Sequence, residues 1–252
     1  MWSSSDDPRP TADRRVPCRC VKRAATLLAI ILASCACGGA RDITPPDPSL
    51  DVDALIVSAA EAMAGLETAR FTMDRAGAPV EVAGLEFVSA EGQYAAPAAA
   101  RALLQVRVSD LSVEVGTIAI DQRVWLTNPL TGGWEEIPES TGFNIAIVFD
   151  AEVGWVPLLT DDLSDVSYLG TMDEGSGPRH VIHGSIAAER VEFLTAGLVE
   201  AQSVESDIWI HPESGHITRV EFSTDDRGAV SEWTIRLTEF DEPVVIDPPA
   251  GF

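Results

Sequence analysis

Residues 101–121 read RALLQVRVSDLSVEVGTIAID, and this stretch decides the fold. Leu104, Val106 and Val108 recur at every second position, as do Leu111, Val113 and Val115. A period of two is that of a strand with one buried face. The two runs read as consecutive short strands joined by a tight turn. The apolar phase shifts after Gly116, and a glycine at a phase shift predicts a bulge or sharp bend.

Similar patterns extend on both sides. ETARFTMD places Ala69, Phe71 and Met73 on one face, and GLEFVSAEGQY places Leu85 and Phe87 together. RVWLTNP and GWEEIP follow as short strands, which completes an antiparallel meander. VSYLGTMDEG, RHVIHGSIAA, VESDIWIHPESG, HITRVEFSTDD and SEWTIRLTEFDEP are further strands, with HPESGH as a turn.

The helices stand apart by their spacing. Residues 51–66 carry Leu55, Ala59, Ala62, Met63 and Leu66 on one helical face. Residues 142–163 are apolar without alternation, and Ile145, Val148, Phe149, Trp155, Leu158 and Leu159 fit two short helices broken near Gly154 and Pro157. ERVEFLTAGLVEA predicts another helix, with Val191, Leu194 and Leu198 in step. The sum is about ten strands and three or four helices in one domain. Each amphipathic helix needs a sheet face to cover. The expected class is α+β, a large antiparallel sheet with the helices gathered on one of its faces.

The amino-terminal region reads differently. Arg14, Arg15, Arg19, Lys22 and Arg23 precede an apolar run of about ten residues from Ala24 to Ala33. That is half the roughly 20 residues a membrane span needs and fits a signal peptide. Leu32-Ala33-Ser34-Cys35 has the form of a bacterial lipobox, which makes Cys35 the lipidated amino terminus of the mature protein. Residues 1–34 are then the leader, 35–50 a lipidated cysteine and Pro/Gly-rich tether, and 51–252 a single domain. This places the domain on the outer, extracytoplasmic face of the cell membrane. Cys18-x-Cys20 and Cys35-x-Cys37 are spaced too closely for a zinc knuckle, and the body holds no cysteine.

Charge and motifs exclude several functions. The leader takes six of the 17 cations and three of the 40 anions, leaving 11 Arg against 37 carboxylates, a formal charge of −26. Such a surface repels nucleic-acid phosphates. There is no G-x-S-x-G elbow, no H-E-x-x-H and no phosphate loop, so no enzyme and no cofactor is expected. His180 and His183 sit three apart on a strand and point to opposite faces, His211 and His216 flank a turn, and the pairs Asp161-Asp162 and Asp225-Asp226 match no calcium loop. No metal site is expected.

Several stretches together resemble the LppX/LprA/LprF/LprG envelope lipoproteins of mycobacteria and related bacteria. They are the lipobox, IVSAAEAMAGLETARFTM, VWLTNPLTGGWEEI, FNIAIVFDAEVGWVPLL, DIWIHPESGHITRVEFS and WTIRLTEFDEPVVIDPP. The likeness runs over about residues 50–249. It implies a half-open barrel around helices, similar in shape to the periplasmic lipoprotein carriers. It also implies a cavity for the acyl chains of a lipid or glycolipid, carriage across the envelope, and a monomer. On strand parity, the lining of that cavity is expected to be Phe71, Met73, Phe87, Leu104, Val106, Val113 and Val115 from the sheet. Ile145, Phe149, Trp155, Leu158 and Leu194 would face them from the helices. The same side chains in a filled core would instead make an anchored scaffold or interaction domain, and periodicity does not separate the two.

Overall fold

The computed structural model describes residues 43–82, 85–109 and 111–251. The leader, the lipobox and Cys35 lie outside the described residues. No helix among the described residues is long and apolar enough to cross a membrane.

The body is one antiparallel sheet of 13 strands. The strands are β1 Ile43–Thr44, β2 Thr68–Gly77, β3 Val80–Val82, β4 Leu85–Ala95, β5 Ala99–Val108, β6 Leu111–Ile120, β7 Arg123–Thr127 and β8 Trp134–Ile137. They continue with β9 Leu163–Asp173, β10 Pro178–Ile186, β11 Val204–Ile210, β12 Ile217–Asp226 and β13 Ala229–Thr238. Their order is β1-β9-β10-β11-β12-β13-β2-β4-β5-β6-β7-β8, with β3 paired to β4 outside that path. The sheet is therefore two meanders joined where β13 pairs with β2, from Ser231 opposite Gly77 to Thr238 opposite Arg70. The ends, β1 and β8, do not meet, so the sheet stays open. The strands beyond the expected number are the two-residue β1 and the three-residue β3.

Three helices cover one face: α1 Val52–Ala64, α2 Trp155–Thr160 and α3 Ala188–Leu194. Asp51 caps α1, its carboxylate accepting from the Ala54 N–H at 3.1 Å, and the helix buries Ala59, Ala60 and Met63. Leu66, expected inside the helix, lies beyond it and is still buried. Gly154 is the break before α2, as its backbone packs against the Val148 and Asp150 carbonyls. Pro157 does not break α2. It lies in the first turn, where its missing N–H has no intrahelical partner to lose. The helix expected over residues 189–201 ends at Leu194, because Ala196 and Gly197 take left-handed φ of 52° and 80°.

Two details of the sheet depart from simple alternation. Gly116 makes no bulge: β5 and β6 pair without a register shift from Val108 opposite Leu111 to Ala99 opposite Ile120. The inner phase continues through small residues, Thr117 and Ala119. A Cβ at Gly116 would stand 3.2 Å from Thr127 Cγ2 and from the Trp134 ring, so the glycine admits that ring on the opposite face. The bulge lies instead in β4, between Phe87 and Ser89, and it turns both Phe87 and Ala90 inward.

One row of inner-face residues crosses eight strands in register: Ile182, Ile208, Val220, Ile235, Met73, Ala90, Leu104 and Val115. All eight are buried.

Candidate functional site

The inner face is not packed evenly along that row. Its β10–β12 end is filled: Ile182, Ile208 and Val220 are wholly buried there. The β13–β8 end holds two adjoining apolar hollows.

The inner hollow is a cavity of about 20 Å³, room for roughly one water. Phe71, Met73, Ala90, Ile235 and Leu237 form its sheet wall. Ile145, Val148 and Phe149 close it from the apolar insert, where residues 147–149 form a 3₁₀ turn. Phe149 stacks on Tyr94 at 4.3 Å between ring centroids and approaches Phe71 at 5.7 Å. Burial pushes the Tyr94 phenol up, and the Asp150 carboxylate pushes it the same way. That phenol donates to the Pro97 carbonyl at 3.1 Å.

The outer hollow is a groove of about 350 Å³, within the range of small-molecule sites. Leu85, Phe87, Leu104, Val106 and Val115 line it from β4–β6. Leu126 and Ile137 continue it onto β7 and β8, and Phe143 and Leu198 bound it from the loops. Thr141 is its one polar lining residue.

Of the residues expected to line a cavity, Phe71, Met73, Ile145 and Phe149 line the inner hollow. Val106 and Val115 line the groove, and Phe87 and Leu104 line both. Val113 is half-buried against the core and lines neither hollow. Trp155, Leu158 and Leu194 also line neither; all three are buried in the core. Ala90 escapes a period-two pattern because the β4 bulge shifts its parity, and Leu198 escapes it because its spacing fits a helix that ends at Leu194. Ile235 and Leu237 were legible by the alternation of WTIRL.

Three of the other candidate histidines make local contacts. The His180 imidazole bonds to the Tyr168 hydroxyl at 2.9 Å, and burial lowers its pKa. His183 contacts Asp207 at 2.9 Å and Glu205 at 3.2 Å. His211 Nδ1 accepts from the Glu213 and Ser214 N–H groups within its turn. Among the described residues, no group of three or more His, Cys, Asp or Glu side chains is placed to hold a metal.

The model of the LppX_LprAFG lipoprotein family matches residues 51–246. The chain belongs to that family. Solved structures agree on the fold. LprF from Mycobacterium bovis superposes with a TM-score of 0.61 at 15% identity, covering 82% of this chain and 100% of that one. LppX from Mycobacterium tuberculosis gives 0.57 at 20% identity, covering 80% and 100%. No curated protein sequence matches. The likeness is one of fold; in this chain the sheet stays open and the helices lie on one of its faces.

Proposed function

We propose that this lipoprotein holds the acyl chains of a lipid or glycolipid in its inner-face groove and carries that lipid across the cell envelope. It does so as a monomer anchored through Cys35 to the outer face of the membrane, and it performs no chemistry on its cargo. The observation that carries the reading is the groove of about 350 Å³, lined by apolar side chains from five consecutive members of the sheet path, β4 to β8.

The energetics suit a carrier. Each buried CH₂ contributes about 0.8 kcal/mol relative to water, so a sixteen-carbon chain gains on the order of 13 kcal/mol. Relative to a bilayer the gain is near zero, because the chain already lies in hydrocarbon. Such a site loads from one membrane and unloads into another without a deep thermodynamic trap. The near closure of the inner cavity favours a second reading, an anchored scaffold whose core is simply filled. Organic extraction of the purified protein separates the two: a stoichiometric lipid supports the carrier, and an empty extract supports the scaffold.

The anchor has its own test. Cys35→Ala removes the thiol that would be acylated. The variant is expected to lose detergent-phase partitioning and to keep its leader or appear in the soluble fraction. An unchanged mature mass with unchanged partitioning contradicts the lipidation of Cys35.

A further inference from the structure

The two hollows meet at four side chains, Phe87, Leu104, Phe143 and Leu198, each of which lines both. Phe87 and Leu104 are fixed on paired strands. Phe143 and Leu198 are different, because they come from two loops that touch each other. Each follows a left-handed glycine, Gly142 at φ 71° and Gly197 at φ 80°. The contact is backbone to backbone: a Cβ on Gly197 would lie 2.6 Å from the Gly142 carbonyl oxygen. Neither glycine can carry a side chain without strain, and at Gly197 the space is absent as well.

Both loops are pinned. Asn144, next to Phe143, donates to the Asp121 carbonyl at 3.1 Å and accepts from the Ala146 N–H at 2.9 Å. On the other side, the buried Thr195 hydroxyl accepts from the Val199 N–H at 3.2 Å, and the Leu198 N–H donates to the Thr195 carbonyl at 3.0 Å. Phe143 and Leu198 thus project from hydrogen-bonded loops and stand as a partition between the two hollows. On one side lies a groove with room for a chain, and on the other a cavity of about 20 Å³ walled by Phe71, Met73 and Phe149.

We propose that Phe143 and Leu198 determine the acyl-chain length this site accepts, by forming the floor that stops a chain entering from the groove. The proposal rests on the lipid-binding reading. Methylenes that reach the floor gain nothing further, because the inner cavity does not admit them. Cutting the floor back joins the two hollows, and each additional buried methylene then contributes about fourfold in affinity.

The test is a binding series on the full chain, with monoacylglycerols of increasing chain length displacing a fluorescent fatty-acyl probe. In the wild type, affinity rises with length and then levels off. In Phe143→Ala, in Leu198→Ala and most of all in the double variant, the rise continues to longer chains, about fourfold per methylene, before levelling. Phe143→Trp moves the plateau to shorter chains. The milder Phe143→Leu and Leu198→Val give the same shift at smaller size should the alanine variants fail to fold. A plateau at the wild-type length in every folded variant overturns the proposal and leaves lipid binding standing. A wild type that binds no member of the series and displaces no probe overturns both.

Discussion

Replacing Trp233 by alanine lowers the unfolding free energy by about 3–5 kcal/mol, the range for deleting a buried aromatic. Trp233 stands on β13 at 1% exposure, beside the β13–β2 seam that joins the two meanders. Its ring lies nearly parallel to Phe87 at 5.8 Å and to Phe222 at 6.1 Å. Its indole N–H donates to the Thr224 hydroxyl at 3.0 Å. Alanine opens a void between the Phe87 and Phe222 rings and strands the buried Thr224 hydroxyl, which points to the upper end of the range. Trp233→Phe keeps most of the packing and loses only the hydrogen bond and part of the area, for about 1–2 kcal/mol. Urea unfolding of both variants checks this through the midpoint at constant m-value. A loss under 1 kcal/mol in Trp233→Ala contradicts the packing described.

Arg190→Ala is expected to cost about 2–3 kcal/mol. Arg190 lies on α3 at 9% exposure, and its Nε donates to the Asp162 carboxylate at 2.8 Å. A second nitrogen donates to the same carboxylate, and a third donates to the Val153 carbonyl. One side chain thus ties α3 to the residues on either side of α2. Breaking a buried ion pair on one side leaves a charge uncompensated, for 3–5 kcal/mol when both partners are dry. The Asp162 side chain is 26% exposed, so water recovers part of that loss. In Arg190→Ala/Asp162→Ala the orphaned carboxylate is gone, and the double variant should be more stable than Arg190→Ala alone. Additive losses in that double-mutant cycle would mean the pair contributes nothing.

Much of the architecture was legible because strands with one buried face repeat every two residues. Phe71 with Met73 and Leu104 with Val106 point inward as their spacing requires. Helix α1 was legible through the helical spacing of its apolar face. What was not legible has physical causes. The β4 bulge inserts one residue and changes parity, and a period-two reading cannot anticipate it. The phase change at Gly116 follows from Trp134 packing on the other face, a contact between strands and not along one. The pairing of β13 with β2 joins residues more than 150 positions apart, beyond any local pattern.

The candidate site divides along the same line. Alternation places Leu104 on the inner face but does not say whether the facing helix fills the space beyond it. Leu194 and Leu104 read alike in sequence, yet one closes a solid core and the other walls a hollow. That difference depends on where loops stop. Leu198 reaches the hollow only because Ala196 and Gly197 end α3 early.

The most direct test of a lipid-holding groove compares bound lipid and melting temperature in the wild type and in Val106→Trp, both purified from membranes in detergent. Val106 is 5% exposed and borders the groove. A lipid-holding groove gives a stoichiometric lipid in the wild type by native mass spectrometry and organic extraction. Val106→Trp then loses this lipid at a nearly unchanged melting temperature, because the indole occupies space the chain would take. In a filled core the same indole is overpacked and costs about 1–3 kcal/mol, a drop of roughly 2–4 °C for each kcal/mol in a chain of this size. A wild type without lipid, together with such a drop in Val106→Trp, would contradict the account.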